Sequence, residues 1–352
     1  MFYSLMKPIA FALEPETAHN LILKSAAKAP MLGTFFRGAK RDKKYQLNQK
    51  SWSFPLGIAA GLDKNAEAID FFFSLGFGAI EVGTVTLKPQ AGNPKPRIWR
   101  YKKSEDLRNA MGFPNHGSEV IKKNILKSQF IKSKEDRILG INLGKNKDSN
   151  FEESLDEYAK LFDLFAPLAD YLVVNLSSPN TAGLREMQGS EFFARICEKL
   201  KPLCQKYSKP LYLKIAPELD PDNIKKLLEI LDQYQWSGLI ATNTSLNHNY
   251  DRGGLSGKSI FEESRKTRNL ILSLIKDYPK LELIGVGGFS NPQQMKDFWA
   301  LGGEKVQIYT SFIFQGPKIL QDTQDFLKRE FQRYQVADFK SYLLKLRKSQ
   351  ET

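Results

Sequence analysis

The sequence predicts an α/β fold, a (β/α)8 TIM barrel preceded by an N-terminal two-helix extension, from three observations. From residue 56 onward, short β-branched or aliphatic runs alternate with amphipathic stretches of helical spacing. Eight such units over roughly 270 residues suit a closed barrel better than an open sheet. Polar residues follow one strand after another at the C-terminal end, whereas chance would have placed them at both ends.

The eight predicted strands are short. Strands that alternate with helices pair in parallel, because parallel neighbours need crossover connections. One intervening helix should begin at Asp220-Pro221, and another should begin near Ser290 and end at Gly302-Gly303. The strand runs are 56–59, 79–82, 138–141, 171–175, 211–215, 238–242, 283–286 and 305–308.

The N-terminal segment does not follow the barrel pattern. Two apolar stripes, separated at Glu14-Pro15, predict two short helices. One interpretation is a cap over the base of the barrel. The other is a membrane-associating hairpin, because exposed apolar side chains followed by a basic run suit the surface of an anionic bilayer. The basic run contains Arg37, Lys40, Arg41, Lys43 and Lys44.

These patterns divide the chain into four parts. Residues 1–36 form the helical extension, and residues 37–50 form a basic linker. The barrel is expected over 51–335, and residues 336–352 are expected to form a basic C-terminal tail.

Composition narrows the class of protein. The formal net charge of +13, from 52 Lys and Arg against 39 Asp and Glu, would attract nucleic acid, anionic lipid or a phosphate-bearing ligand, or would only solvate helix faces. Cys197 and Cys204 share a predicted helix without disulfide geometry, which suits a reducing cytoplasm. Because no apolar run approaches the roughly 20 residues of a spanning helix and no cleavable signal is evident, we expect neither a membrane span nor export.

The strand ends carry a series of motifs that resembles, in order and spacing, the class 2 or quinone-linked dihydroorotate dehydrogenases. The resemblance covers nearly the whole chain, including PETAH (15–19) in the N-terminal helices, but not the residues after about 334. The motifs are AAGLDKN (59–65), EVGTVT (81–86), NAMGF (109–113), INLGKNK (141–147), NLSSPNTAGLR (175–185), KIAP (214–217), ATNT (241–244), GGLSG (253–257), GVGG (285–288) and QIYTSFIFQGP (307–317).

The resemblance implies an FMN cofactor. Glycines let the backbone approach a phosphate closely, and helix starts after the last strands offer positive dipole ends, although Gly287-Gly288 alone is equally typical of a tight turn. A buried Lys214 would need an anionic partner. The implied FMN contacts are Ala60, Gly61, Leu62, Asp63, Lys64, Thr84, Asn142, Asn175, Lys214, Thr242, Gly257, Gly287, Gly288, Tyr309 and Thr310.

The resemblance also implies a dihydroorotate site with Ser178 as the catalytic base. An isolated serine is a poor base near neutral pH, so this role comes from the resemblance alone. Thr181 and Phe113 are the implied proton relay, and residues 180–189 would form a lid. Without the resemblance, the serine motif indicates only a turn, and single asparagines indicate turns or caps. The implied substrate contacts are Lys64, Asn109, Ala110, Met111, Gly112, Phe113, Asn175, Asn180, Asn243 and Thr244.

A quinone route under the N-terminal helices is implied at His19, Arg100 and Tyr309. Alternatively, His19 is an ordinary packing histidine and Arg100 is solvated. Two positions depart from common family patterns: Ala110 stands where many relatives carry a larger basic residue, and Thr310 where some carry serine.

The resemblance therefore implies an enzyme that oxidises dihydroorotate to orotate in pyrimidine biosynthesis and reduces a ubiquinone- or menaquinone-type acceptor. We expect a monomer, peripheral on the cytoplasmic side of the cell membrane, with no bound metal or nucleic acid. Three alternatives remain. A dihydrouridine synthase would suit the charge, but neither cysteine lies near a strand end. A soluble class 1 enzyme would carry cysteine instead of Ser178. A non-catalytic basic barrel would be colourless.

Overall fold

The chain was analysed as a computed structural model that describes residues 2–40, 42–47, 52–129, 133 and 137–350. Its N-terminal segment forms α1 (Phe2–Ala12), α2 (Pro15–Lys28) and the short α3 (Leu32–Phe35). Glu14 caps α2, since its carboxylate accepts hydrogen bonds from the main-chain N–H groups of Glu16 and Thr17. The two predicted helices and their junction at Glu14-Pro15 are confirmed.

The described residues form eleven strands in two sheets. They are β1 (Leu56–Ile58), β2 (Ala79–Val85), β3 (Ile98–Tyr101), β4 (Asp106–Asn109), β5 (Ile138–Leu143), β6 (Tyr171–Asn175), β7 (Leu211–Ile215), β8 (Gly238–Ala241), β9 (Gly254–Gly257), β10 (Glu282–Gly285) and β11 (Lys305–Ile308).

Eight of these strands close into a parallel barrel in the order β1-β2-β5-β6-β7-β8-β10-β11, and β11 pairs with β1 to complete the ring. Every predicted strand run lies in this barrel, so the predicted (β/α)8 fold is confirmed. Parallel strands buried on both faces read as nearly continuous apolar runs, which explains why the sequence signal was clear.

Helices cover the outside of the barrel. The predicted start at Asp220-Pro221 is confirmed, because the Asp220 carboxylate accepts the N–H of Asn223. The helix predicted near Ser290 begins at Pro292 and ends at Ala300, just before the glycine pair. The outer helices are α4 (Ile69–Ser74), α5 (Ser118–Lys127), α6 (Phe151–Phe165), α7 (Ser190–Tyr207), α8 (Pro221–Gln233), α9 (Phe261–Leu274), α10 (Pro292–Ala300), α11 (Thr310–Gln315) and α12 (Lys318–Tyr334).

A three-stranded antiparallel sheet, β3-β4-β9, was not predicted. Its strands have four residues each, and their apolar pattern is interrupted by charged side chains in β3 and β4 and by glycine and serine in β9. The sheet brings Asn109, at the end of β4, opposite Gly254 of β9. It thereby builds part of the wall above the C-terminal ends of the barrel strands.

Most of residues 336–352, the expected basic C-terminal tail, form a packed helix, α13 (Phe339–Lys348). Asp338 caps this helix, and Tyr342 donates a hydrogen bond to Glu330 of α12. The sequence pattern did not predict this helix, because its many basic residues lie between the positions of a regular apolar stripe. The buried stripe consists of Phe339, Tyr342, Leu343 and Leu346.

The linker is partly built into the fold. Tyr45 and Leu47 are buried in the main core. Arg41 and residues 48–50, which the linker prediction includes, lie outside the described residues. Cys197 and Cys204 are free thiols, as expected.

The helical hairpin α1–α2 lies against the C-terminal side of the barrel, so the interpretation of a cap on the base is wrong. Tyr3 of α1 donates a hydrogen bond to the carbonyl of Ile313 in α11, the helix that follows the last barrel strand. Phe11 packs edge-on against Phe314 of the same helix. The outer face is apolar, with Leu5 and Ile9 each 70% exposed.

Among the described helices, none combines the length and the apolar character needed to cross a bilayer.

Candidate active site

The C-terminal ends of the barrel strands surround a cleft with about 1290 Å³ of empty space, its mouth included. Its wall combines barrel strand ends with the β3-β4-β9 sheet. Predicted site residues that line it are Ala60, Gly61, Lys64, Thr84, Asn109, Met111, Gly112, Phe113, Asn175, Ser178, Asn180, Lys214, Thr242, Asn243, Thr244, Gly257, Gly287, Gly288, Tyr309 and Thr310. Residues from distant parts of the chain therefore meet at a single rim, as the strand-end pattern indicated.

Other predicted residues lie behind or outside this wall. Leu62 is part of the core. The Asp63 carboxylate turns away to accept the main-chain N–H groups of Glu67 and Ala68, and burial raises its pKa to about 6. Three further predicted residues, Ala110, Thr181 and Asn142, are buried without lining the cleft.

Asn142 acts from behind the wall. Its side-chain oxygen accepts hydrogen bonds from Thr84 Oγ1 at 2.6 Å and from Asn175 Nδ2 at 2.9 Å. Since both partners line the cleft, Asn142 fixes their orientation rather than contacting a ligand through its side chain.

A buried polar network centred on Glu81 lies below the cleft. Glu81 of β2 is fully buried and supplies the anionic partner that the sequence demanded for Lys214, with 3.3 Å between Lys214 Nζ and Glu81 Oε1. Glu81 also accepts from Asn142 Nδ2 at 2.8 Å and from Gln307 Nε2 at 2.7 Å. The Tyr171 hydroxyl donates to Glu81 Oε2 at 3.3 Å, and burial raises the pKa of Tyr171 well above its usual value. The carboxylate is thus paired and hydrogen-bonded, as a buried charge must be.

The glycine pair after β10 forms a wall that can approach a ligand closely. Gly287 and Gly288 have φ angles of +100° and +78°, and a Cβ atom at Gly287 would lie 2.4 Å from Ser264 Oγ. Within the described part of the chain, neither main-chain N–H group has an acceptor. Arg268 is buried behind the loop and donates to the carbonyls of Val286 and Gly287, the latter at 2.8 Å. Free N–H groups on two successive glycines suit an anion such as phosphate.

Ser178 lines the same cleft. Its side chain is 5% exposed, and its Oγ accepts the main-chain N–H of Asn180 at 3.3 Å. Asn180 Nδ2 in turn donates to Asn109 Oδ1 at 3.2 Å. Asn243 Nδ2 donates to Ser177 Oγ at 2.9 Å. Asn109 and Asn180 are therefore linked to each other and to a shielded serine, and Asn243 is held by the neighbouring Ser177.

Several buried polar atoms in the cleft wall have no partner among the described residues. They are Thr244 Oγ1, Gln307 Oε1 and Ser311 Oγ. Buried polar groups are normally hydrogen-bonded, so these atoms indicate a ligand with complementary polar groups. The hydroxyl of Thr181 is likewise buried and unpaired.

Lys64 brings a cation to the wall. Its Nζ donates to the carbonyl of Gly61 at 2.7 Å. Burial lowers the pKa of Lys64 to about 8, while the carboxylates of Glu16 and Asp63 oppose this effect. A cation in such a place suits a carboxylate ligand, whose charge would favour its protonated form.

The three residues implied for a quinone route lie between the hairpin and the barrel, but only Tyr309 lines the cleft. Tyr309 donates to the Gly61 carbonyl at 3.3 Å, and burial raises its pKa to about 12. His19 of α2 is half-buried, and burial, aided by the Lys64 charge, lowers its pKa to about 3. Arg100 is not simply solvated, because it donates to the carbonyls at the end of α1 and lies over the Phe11 ring.

Sequence reasoning missed the residues that support this site from behind. Glu81 was detectable as a carboxylate inside an otherwise apolar strand run, and Gln307 as an amide in another. Arg268 gave no signal, since a basic residue in an amphipathic helix is usually exposed. Ser256 was missed with its strand, although its Oγ lies 2.8 Å from Thr310 Oγ1.

Comparison with known proteins places this site in a family. The family profile described as Dihydroorotate dehydrogenase matches residues 44–331. A protein of Shewanella denitrificans named dihydroorotate dehydrogenase (quinone) is 39% identical over 345 residues, which are 93% of this chain and 99% of the relative. A protein of the same name from Serratia proteamaculans is also 39% identical, over 93% of this chain and 100% of the relative.

Solved structures of dihydroorotate dehydrogenases superpose on this chain. The dihydroorotate dehydrogenase of Eimeria tenella, solved in complex with ferulenol, superposes with a TM-score of 0.85 at 29% identity, over 95% of this chain and 98% of the other. Its ligand-free form gives the same TM-score at 30% identity. The chain therefore belongs to the dihydroorotate dehydrogenase family, in its quinone-linked branch.

Family membership excludes the dihydrouridine synthase alternative and bears out the resemblance. Among the described residues, no group of three or more His, Cys, Asp or Glu side chains could hold a metal ion.

The Glu81 network leads to a stability prediction. Replacing Glu81 with Gln leaves Lys214 buried without an anion, and breaking a buried pair from one side costs about 3–5 kcal/mol. We expect urea unfolding of the protein without bound ligand to show a loss of that size.

The matched control is Asp163→Asn, which removes the exposed pair between Asp163 and Lys206. Its unfolding free energy should stay close to that of the unmodified chain, because water screens exposed pairs. Equal losses in the two variants would contradict the assigned role of Glu81.

Proposed function

We propose that this chain is a quinone-dependent dihydroorotate dehydrogenase that uses FMN to oxidise dihydroorotate to orotate in pyrimidine biosynthesis. The observation that carries the proposal is the joint placement of Lys64, Ser178 and Lys214 on the wall of one cleft. The three residues come from different strand ends. Lys64 provides a cation for an anionic substrate, Ser178 a shielded proton acceptor, and Lys214 a buried cation at the cleft floor. Relatives that carry this enzyme name match nearly the full chain.

The cleft fits FMN by its own features. The free N–H groups of Gly287 and Gly288 suit the phosphate, and the unpaired Gln307 and Ser311 atoms suit polar ring and ribitol groups. When bound, FMN supplies the acceptor for the hydride that leaves dihydroorotate. Lys214, held by Glu81, places a fixed positive charge at the cleft floor, where it would stabilise negative charge on a reduced ring.

Lys64 is assigned to the carboxylate of dihydroorotate. Asn109, Asn180 and Asn243 offer both donors and acceptors, which match a ring that carries N–H and carbonyl groups. Because Asn180 already bonds Asn109 and Ser178, this amide group is ordered before substrate arrives. Preordering reduces the entropy lost on binding.

Ser178 Oγ is assigned as the base that takes the proton from the substrate carbon. Its burial excludes bulk water, so the proton must leave through neighbouring groups. Thr181, whose buried hydroxyl has no partner, is suited to pass the proton on, and Phe113 shields the path. Proton transfer by a positioned side chain is worth about 10²–10⁴-fold in rate.

We assign the quinone route to the space between the hairpin and Tyr309. Burial keeps His19 neutral near pH 7, so it offers a hydrogen bond to a quinone oxygen without a charge. Arg100 fastens α1 beside that space. The exposed apolar face of the hairpin suits peripheral attachment to an anionic membrane on the cytoplasmic side.

The base assignment is tested by Ser178→Ala. Rapid mixing of the FMN-loaded variant with dihydroorotate should show flavin reduction slowed by about 10²-fold or more, because the positioned proton acceptor is lost. Flavin content should be unchanged, since Ser178 is assigned to substrate.

Ser178→Cys is the control, because a thiol can also accept a proton and should restore part of the lost rate. Unchanged reduction kinetics in Ser178→Ala would remove Ser178 from the mechanism. A wild-type chain that dihydroorotate does not reduce would overturn the proposed function.

Substrate affinity should depend on the protonation of Lys64. Since its pKa is lowered to about 8 by burial, the cation is present below that pH and is lost above it. The dihydroorotate concentration for half-maximal flavin reduction should therefore be constant between about pH 6 and 7, where the lysine is charged. It should rise above about pH 8, where the lysine loses its proton.

Lys64→Arg distinguishes the titration of this lysine from that of other groups, because a guanidinium stays charged throughout this pH range. Its affinity should be lower overall but without the rise above pH 8. An identical rise in both proteins would assign the pH dependence to another group.

The quinone route is tested by deleting residues 1–30. At saturating dihydroorotate the bound flavin should still be reduced, whereas turnover with a soluble ubiquinone or menaquinone analogue should be lost, because the route's outer wall is gone. Surviving quinone turnover would show that the route lies elsewhere. A soluble artificial electron acceptor provides the control for an intact catalytic site.

A further inference from the structure

A buried ion pair joins the hairpin to the barrel. Glu16 of α2 and Arg97, which precedes β3, are 6% and 7% exposed. Arg97 Nε donates to Glu16 Oε2 at 3.1 Å, and its terminal NH2 nitrogen donates to Glu16 Oε1 at 2.7 Å. This two-pronged arrangement is the strongest geometry available to a carboxylate and a guanidinium. The exposed Lys95 approaches the same carboxylate at 3.4 Å.

The third nitrogen of the Arg97 guanidinium binds the loop at residues 91–93. Its NH1 nitrogen donates to the carbonyls of Ala91 at 2.6 Å and Asn93 at 2.8 Å. The Arg97 carbonyl accepts the N–H of Ala110 at 2.9 Å. The guanidinium therefore binds α2 and the 91–93 loop, while the main chain of the same residue holds the segment that contains the proposed substrate contacts. Lysine could not reproduce this, since it lacks the planar fork of donors.

Asn93 continues the connection to the substrate wall. Its N–H donates to the Met111 carbonyl at 2.9 Å, and its Nδ2 donates to the Asn180 carbonyl at 3.1 Å. Asn180 begins the lid, and its own N–H donates to Ser178 Oγ. An unbroken series of contacts thus runs from a hairpin helix to the assigned base, through groups outside the core of the barrel.

We propose that Glu16 and Arg97 are positioning residues that couple the seating of the hairpin to the order of the dihydroorotate site. The inference rests on the proposed function and deepens it. A buried guanidinium without its carboxylate is costly, so loss of Glu16 drives Arg97 toward solvent and releases Ala91 and Asn93. The Asn180 lid then loses its outer support. Hairpin contacts on the quinone side therefore affect substrate affinity, and by reciprocity substrate binding stabilises the seated hairpin.

Glu16→Gln tests the coupling, because it keeps the shape of the side chain and removes its charge. In rapid mixing, the dihydroorotate concentration for half-maximal flavin reduction should rise about tenfold, within the usual range of coupling. The comparison is made at about pH 6, where Lys64 keeps its proton even without the Glu16 charge that raises its pKa. The saturating rate should change less than about twofold, since Ser178 is untouched. Hydrogen exchange of the FMN-loaded protein should become faster in peptides that cover residues 180–189.

Glu14→Gln is the matched control, because Glu14 caps the same helix but does not contact Arg97. It should weaken α2 without changing substrate affinity or lid exchange. Arg97→Lys, which keeps a cation but loses the fork, should reproduce the Glu16→Gln effect and serves as the second test if Glu16→Gln is poorly folded.

Unchanged affinity and lid exchange in Glu16→Gln and Arg97→Lys would overturn the coupling. Equal shifts in Glu14→Gln would also overturn it, since helix stability alone would then explain the effect. Both outcomes are judged only when dihydroorotate reduces the flavin of the wild-type protein. A wild-type flavin that is not reduced would instead contradict the proposed function.

Discussion

The interior of this barrel depends on one buried carboxylate. Glu81 accepts hydrogen bonds from residues on four other strands, including Lys214 of β7 and Gln307 of β11. A charge in such a place costs several kcal/mol unless its partners surround it. Because strands on opposite sides of the barrel supply these partners, the network can form only when the ring is closed. The same network then holds a cation at the floor of the cleft.

The sequence predicted the barrel well, because its strands are buried on both faces and their apolar runs are hard to mistake. The small sheet β3-β4-β9 escaped, since its half-exposed strands have no clear alternation. The C-terminal helix α13 was not predicted, because basic side chains on its exposed face mask its apolar stripe.

The candidate site was predictable where ligand contacts follow strand ends. Ser178, Lys64 and the asparagines meet as expected, but physical reasoning alone would not have selected the serine. The supporting residues were less predictable. Glu16 and Arg97 are separated by about eighty residues, and nothing in either local sequence indicates a buried pair. Such pairs become visible only when the packing of the hairpin against the barrel is known.

The N-terminal helices α1–α3 leave an apolar face in water, with Leu5, Ile9, Met31 and Phe35 each exposed by 70% or more. In detergent-free buffer, such a face favours association between copies of the protein. A large apparent mass in size-exclusion chromatography under those conditions would report sticking between hairpins and not a specific quaternary structure. Mild detergent micelles or lipid nanodiscs, which cover this face, are therefore the appropriate environment in which to determine how many chains assemble.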